Sequence, residues 1–318
     1  MDWSRVLVTG AGGFVGANLV HAARQRHLNI TALLRPSSNA WRLHGEEDII
    51  ARGDVTDFEA LSHLIRDVQP TVIIHSAVYG GYSTQQNVFQ TAQTNYISIL
   101  NLLVAVEKYV PNAIVLNLGS SSEYGYKSNQ MRETDALEPT SVYGASKASA
   151  SLLARAFALE RGLSVFSLRL FSPYGAWESP TRLIPAALSH ALTNRDFPMT
   201  SGNQGRDFIF IEDVTRIIFE TNFSELIKGD VFNLGSGIET SVFDAANLAY
   251  QVTNSKAQVL RAAIPDRNND SFHSRWQADI SHARASLNWG SLTSLKAGFA
   301  LMAQWLRDYD GDEYVFTD

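Results

Sequence analysis

Residues 5–20 read RVLVTGAGGFVGANLV. A short β-branched run, Arg5–Thr9, passes directly into glycines at 10, 13 and 16. Apolar residues then recur at three- and four-residue steps from Phe14 to Arg24. This pattern predicts a buried strand, a tight turn and a helix. Glycines at such a turn let the backbone approach a diphosphate, and the helix N-terminus meets it with unpaired N–H groups and the positive end of its dipole. The alternative is a turn whose glycines only allow the helix to pack on the strand. A lone glycine triplet is a weak signal, so the rest of the chain must decide.

Outward from that turn the rhythm repeats. Apolar runs at 29–34, 48–52, 71–77, 113–118 and 163–171 read as strands buried on both faces, and 230–237 adds one more. Helix-like periodicity falls at Phe58–Val68, Asn95–Val110 and Tyr143–Arg161. Parallel strands need crossovers, so strict alternation predicts a doubly wound parallel α/β sheet of Rossmann type. After Phe171 the stretch SPYGAWESPTRLIP brings three prolines, and a helix-like segment follows at Ala186–Thr193. The expected organisation is a dinucleotide-binding domain from 1–172 and 209–236. A smaller, interleaved substrate domain is expected from 173–208 and 237–318. The acidic tail DYDGDEYVFTD (308–318) reads as a solvated end.

The composition excludes several classes. The 318 residues carry a net charge of −6, with 45% hydrophobic and 18% charged residues. No basic stretch offers a phosphate-backbone footprint, so nucleic acid is not an expected partner. There are no cysteines, hence no disulfides, thiolate metal sites or cysteine nucleophiles. The start MDWSRVLVTG has no basic n-region with a long apolar run, and no segment reaches ~18 uninterrupted apolar residues. A cytoplasmic protein without a membrane span is expected. The eight histidines show no metal spacing, and His75, closing the fourth strand, reads as a packed, hydrogen-bonded residue.

Which dinucleotide binds is read near the end of the second strand, in LLRPSS. Arg35 stands where NAD binders usually place an acidic residue on the ribose hydroxyls. A guanidinium there grips a 2′-phosphate, with Ser37 and Ser38 adding hydrogen bonds, so NADP(H) is favoured over NAD(H). The alternative is that Arg35 projects into solvent. Asp54, in GDVTD, is placed either to accept from the adenine amino group or to cap the next helix.

Two further stretches carry chemistry. Tyr143 and Lys147 in YGASK lie at i and i+4, on one helix face, and the preceding EPTS supplies the cap. A neighbouring ammonium favours the phenolate and moves the tyrosine toward neutrality. The serines of LGSSSEYG end the fifth strand on the same sheet edge, where a hydroxyl can meet a substrate oxygen beside the phenol. A chance Y-x-x-x-K on the surface is the alternative; order and topology argue against it.

With these motifs the chain resembles the extended short-chain dehydrogenase/reductases, in particular the nucleotide-sugar epimerases, dehydratases and 4-ketoreductases. The resemblance rests on VTGAGGFVG, GDVTD, HSA, GSSSEYG, YGASK, RLFSPYG, RDFIFIEDV and VFNLGSG. It implies a cofactor site at Gly10, Gly13, Phe14, Val15, Gly16, Arg35, Asp54, Val55, Ser76 and Ala77, shared with Tyr143 and Lys147. It makes Tyr143 the acid–base, Lys147 its partner and Ser121 the active-site hydroxyl, with Ser120 next in line. Tyr79, Ser121, Ser122, Glu123 and Ser172 are expected at the sugar, and Arg206 and Arg275 at the substrate diphosphate. No metal is expected. Many members have asparagine at the position of Ser172, and the segment from Glu123 to Gly125 is one residue shorter than the dehydratase pattern.

The resemblance implies hydride transfer at C4 of a nucleotide-diphosphate sugar. Arg35 favours net reduction of a 4-keto-6-deoxy sugar with NADPH, over 4-epimerisation and then 4,6-dehydration. A non-catalytic NADP(H) sensor would not keep both Tyr143 and Lys147. A homodimer is implied by the helices Asn95–Val110 and Tyr143–Arg161, where Leu152, Phe157 and Leu159 face either a partner or the sheet.

Overall fold

The computed structural model describes residues 1–82, 84–266, 275–290 and 292–314. Seven parallel strands form the central sheet: β1 (Val6–Thr9), β2 (Ile30–Leu34), β3 (Ile50–Arg52), β4 (Val72–His75), β5 (Ile114–Ser120), β6 (Ser164–Leu170) and, later in the chain, β11 (Val231–Leu234). Their order across the sheet is β11-β6-β5-β4-β1-β2-β3. β1 pairs with β2 on one side and β4 on the other, so chain direction through the sheet reverses at β1. Ligands of open α/β sheets bind at such a switch point, beyond the carboxyl ends of the strands.

Both faces of the sheet are covered, which is why its strands read as unbroken apolar runs. Alternate residues of one strand enter different cores. Val6 and Val8 pack with Leu19 and Val20 of α1 (Phe14–Gln25) and with α7 (Ile211–Glu220). Leu7 packs on the other face, with α2 (Phe58–Val68), α4 (Ser98–Tyr109) and α5 (Val142–Arg161). The helix expected from Asn95 starts earlier, with α3 (Val88–Ala92), capped by Asn87, and a π-helical turn at Gln93–Ile97 leading into α4. That turn disrupts the 3.6-residue periodicity on which the expectation rested. The cap of α5 is Ser141, from EPTS, accepting from Gly144 N at 3.0 Å.

The remaining pieces form a third core. Helices α6 (Leu183–Leu192), α8 (Val242–Thr253) and α10 (Leu295–Asp308) bring Leu188, Ala249 and Phe299 together with Tyr174 and Phe210. Tyr174 ends β7 (Pro173–Tyr174), which pairs with β10 (Ile209–Phe210). Two more short pairs join distant segments: β8 (Phe197–Pro198) with β13 (Val259–Leu260), and β9 (Gly205–Asp207) with β12 (Glu239–Ser241). Helix α9 (Ser281–Ser286) returns to β11, where His282 Nε2 donates to Asp230 Oδ2 at 3.0 Å.

The C-terminal segment corrects one expectation. Tyr314 is buried, and its hydroxyl donates to the carbonyl of Glu178. Tyr314, Tyr309 and Trp305 cluster with Trp177 and Trp41, mostly edge to face, at centroid distances of 4.9–6.4 Å. Apolar aromatic area, not the surrounding acids, decides where this stretch goes. Residues 315–318 of the tail lie outside the described residues.

Candidate active site

A cleft of about 1420 Å³ runs along the carboxyl edge of the sheet, bounded at one end by the glycine turn and at the other by Arg206 and Trp276. Gly10 has φ +66°, and a Cβ there would stand 2.5 Å from Ala77 N. At Gly16 a Cβ would stand 2.3 Å from Gly10 O. These two glycines make the turn and the close packing. Gly13 is the N-cap of α1 and has no side-chain cap. The first-turn N–H groups of Phe14 and Val15 thus face the cleft without a side chain from their own cap. This cradle suits an anionic diphosphate.

Beyond the turn, Arg35, Ser37, Ser38, Asp54 and Val55 line the same cleft. Arg52 donates to the carbonyls of Arg35 and Ser38, at 3.2 and 2.8 Å, and so ties this stretch to β3. Asp54 Oδ1 accepts from Thr56 N and Oγ1 at 2.9 and 2.8 Å. The cap of α2 is instead Asp57, accepting from Ala60 N at 3.1 Å. Ser76 and Ala77 also line the cleft. The Ser76 hydroxyl is spent on Thr9 O at 2.6 Å.

Tyr143 and Lys147 open α5 at the centre of the cleft. Burial pushes the Tyr143 phenol above its ordinary value, while the Ser120 hydroxyl pulls it down. Lys147 Nζ donates to Leu118 O at the end of β5. Burial lowers its ammonium to about 8. The expected shift of the phenol toward neutrality does not appear: burial, joined by Glu123 and Tyr82, outweighs the Ser120 hydroxyl and Arg182.

The three serines separate by role. Ser120 ends β5 and accepts from Ser122 N at 3.1 Å. Ser121 turns its hydroxyl to Trp276, whose indole N–H donates to it at 2.9 Å. All three serines border the cleft, as does Ser172. Glu123 does not. It is fully buried, with Oε1 accepting from Ser120 N and Oε2 from Arg169 Nε, both at 2.8 Å.

Other expected residues divide likewise. Arg206 lines the cleft, with its guanidinium 5.2 Å from the centre of the Trp276 ring. Arg275 is exposed and not part of the cleft wall. Its backbone N–H donates to Lys127 O at 2.9 Å, and its side chain reaches Gln277 Oε1 at 3.3 Å. Tyr79 is also absent from the wall, where Tyr82 stands instead. Tyr79 exchanges backbone bonds, at 2.8 Å each, with the side chain of Asn95.

Asn95, in the π-helical turn, was not singled out from the sequence. It also donates to Ser146 Oγ at 2.8 Å and so fixes the loop after β4 to the first turns of α5. The only sequence signal was an asparagine at a helix start, which caps explain equally well. Trp276, Arg182 and Glu178 of the cleft wall were missed too, because only tertiary packing brings their loops here. His75 is buried between Thr9 Oγ1 (2.8 Å) and Ser98 Oγ (3.1 Å), and burial lowers it to about 3. Among the described residues no helix is long and apolar enough to cross a membrane.

Comparison with known proteins agrees with this geometry. A UDP-glucuronate 4-epimerase of Arabidopsis thaliana is 28% identical over 97% of this chain and 76% of its own length. A dTDP-glucose 4,6-dehydratase of Xanthomonas campestris is 27% identical over 94% of this chain and 92% of its own. The crystal structure of the Bacillus anthracis dTDP-glucose 4,6-dehydratase in complex with NAD superposes with a TM-score of 0.82, at 23% identity, over 96% of this chain and 97% of that one. That likeness is one of fold. Residues 6–235, from β1 to the end of β11, match the family described as NAD dependent epimerase/dehydratase. The chain belongs to that family of extended short-chain dehydrogenase/reductases, enzymes built on a nicotinamide dinucleotide.

Proposed function

We propose that the protein is a nucleotide-sugar 4-epimerase, with Tyr143 as its acid–base. The observation that carries this reading is a single cleft wall holding Ser120, Tyr143 and Lys147, from which Glu123 is withdrawn. Loss of water across C5 and C6 needs a further acid–base pair, and Glu123 is the carboxyl beside the serines that could act there. Glu123 is instead committed to Arg169 and to a backbone N–H. Glu123 therefore supplies no base for dehydration.

The bound nicotinamide supplies a reversible hydride acceptor at C4. The chain's own residues do the rest. Ser120 and Tyr143 hold the C4 oxygen, and Tyr143 takes and returns its proton. Lys147, retaining its charge up to about 8, favours the phenolate and anchors the cofactor ribose. Arg206 and Trp276 close the far end, where a guanidinium suits the substrate diphosphate. Ser121, Ser122 and Ser172 offer hydroxyls to the sugar. Segments 1–172 and 209–236 would hold the dinucleotide, and 173–208 and 237–318 the sugar nucleotide.

A second reading keeps the same residues and ends in net reduction of a 4-keto sugar. It is favoured by Arg35, which faces the cleft from the end of β2 as a grip for the 2′-phosphate of NADPH would. Incubation with UDP-sugars and dTDP-sugars separates the two. Formation of a C4 epimer without net change in cofactor supports epimerisation. Stoichiometric NADPH consumption with a 4-keto-6-deoxy substrate, and no epimer formation, replaces it with reduction.

A homodimer fits the surface. An apolar groove lies between α3 and α5, bordered by Val88, Ala92, Tyr96, Val142 and Leu152. Leu152 and Leu159 are 57% and 64% exposed, whereas Phe157 leans on the sheet core. Light scattering at micromolar concentration tests it.

A further inference from the structure

Asp207 of β9 and the turn Gly235–Gly237 after β11 have no part in the reaction above. The fold joins them. Asp207 is fully buried. Its Oδ1 accepts from Ser236 N and Ser236 Oγ, both at 2.6 Å, and its Oδ2 accepts from Gly237 N and Ala278 N, both at 3.0 Å. A carboxylate accepts on both oxygens, so one side chain satisfies donors from two other segments at once. Gly235 leaves the room for it: a Cβ there would stand 2.9 Å from both Asp207 Oδ2 and Ala278 Cβ.

The segments fastened at this point carry the far end of the cleft. Arg206 precedes Asp207 on β9, and Trp276 lies shortly before Ala278 in the loop leading to α9. Both line the cleft, whereas Asp207 does not. Arg206 Nη1 donates to Gly205 O at 2.7 Å, and the guanidinium lies 5.2 Å from the centre of the Trp276 ring. Trp276 is held at both ends. Its backbone N–H donates to Glu239 Oε1 at 2.7 Å, and its indole N–H donates to Ser121 Oγ at 2.9 Å. Glu239 belongs to β12, the partner of β9, and Gln277 Nε2 donates to Gly237 O at 2.6 Å, a second tie between loop and turn.

We propose that Asp207 is a positioning residue for the substrate: it fixes Arg206 and Trp276 relative to each other, and so sets the affinity for the nucleoside diphosphate part without touching it. This rests on Arg206 serving the substrate diphosphate. An arginine on a loosely held strand loses conformational freedom when it grips a ligand, and that loss is subtracted from affinity. Here strand, turn and loop are ordered before the ligand arrives. Asparagine at 207 would offer one acceptor oxygen in place of two and would turn an amide NH2 toward N–H donors. It would release either the turn or the loop from β9. The glycine turn bounds the opposite end of the cleft, so dinucleotide affinity should not follow.

The test is calorimetric binding of UDP, dTDP, CDP and GDP, with comparison made on whichever the wild type binds most tightly. Asp207→Asn should weaken that nucleotide about tenfold and leave NAD(H) and NADP(H) within about twofold. In an Arg206→Ala background the same replacement should add less than about twofold, since a residue acting through Arg206 then has nothing to position. A purely structural role would instead weaken both ligands, in either background. Unchanged nucleotide affinity in Asp207→Asn, equal losses for nucleotide and dinucleotide, or full additivity with Arg206→Ala each overturn the proposal and leave Arg206 as the diphosphate ligand. Wild-type nucleotide affinity in Arg206→Ala, or no binding of any of the four nucleotides by the wild type, overturns that reading and the proposal together. Folding of each variant is checked by circular dichroism. If Asp207→Asn does not fold, Ser236→Ala replaces it and removes one of the four bonds to the carboxylate. Nucleotide binding about threefold weaker, with no such loss in the Arg206→Ala background, is then expected, and equal affinity overturns the proposal.

Discussion

The indole N–H of Trp276 donates to Ser121 Oγ at 2.9 Å, joining the loop before α9 to the end of β5. The Ser121 oxygen accepts there while its O–H stays free to donate, and Ser120, whose hydroxyl lowers the Tyr143 phenol, is the one proposed at the reacting oxygen. Ser120→Ala should lower kcat about 10²–10³-fold with little change in KM, the loss of one oriented donor at a reacting oxygen. Ser121→Ala should cost less than about tenfold in kcat and act mainly on KM, because its partner is Trp276. Steady-state kinetics on the two variants decide between them, and the reverse order would return the catalytic hydroxyl to Ser121.

His75 predicts an acid-labile fold. Its folded pKa, about 3, lies well below its ordinary 6.5 because burial disfavours the imidazolium. Between those values the unfolded chain binds more protons, so stability is full above about 6.5 and is lost as pH falls toward 3. Glu178 acts in the opposite sense. Its raised pKa means that the folded chain holds the extra proton between 4.5 and about 8, so its contribution declines as pH rises through that window. Thermal melts of His75→Asn from pH 7 to pH 4 should show a flatter fall in Tm than the wild type. Equal slopes would mean that other groups govern acid unfolding.

A proposed preference for NADP(H) would rest on Arg35, whose exposed guanidinium on the cleft wall would favour a 2′-phosphate over a 2′-hydroxyl. Arg35→Ala should therefore weaken NADP(H) about tenfold or more and leave NAD(H) within about twofold, each read by fluorescence titration. Equal wild-type affinity for the two cofactors would assign NAD(H) and remove the main support for a reductase.

What could be read in advance follows physical lines. The glycine turn, the parallel sheet and α2 were legible because each rests on local spacing: glycines at three-residue steps, unbroken β-branched runs, apolar residues on one helical face. Residues whose place depends on a distant partner were not. Arg275 and Trp276 are adjacent in the chain, yet the indole enters the cleft and the guanidinium does not. Tyr314, in an acidic context, is buried by aromatic rings from the turn at Trp41 and the end of α10. Which of Ser120 and Ser121 serves the reaction is likewise not written in three consecutive serines, since no periodicity marks where β5 stops.

Glu123 illustrates the same limit and yields the last prediction. In the chain it stands beside the serines, as a catalytic carboxylate would. In the fold it closes a buried network: Oε2 accepts from Arg169 Nε, Arg169 Nη1 donates to the Tyr124 hydroxyl at 2.8 Å, and that hydroxyl donates to Asn233 Oδ1 at 2.7 Å. Removing one partner strands the other charge without solvent. Glu123→Gln should therefore destabilise the protein by about 3–5 kcal/mol, read by urea unfolding. The double replacement Glu123→Leu with Arg169→Met should recover much of that loss, because two buried charges vanish together. Turnover per folded molecule should fall by less than about tenfold in Glu123→Gln, well short of the 10²–10⁴ that loss of a general base costs. A stable Glu123→Gln protein with turnover reduced by the larger factor would reinstate the carboxyl as the base of a dehydratase.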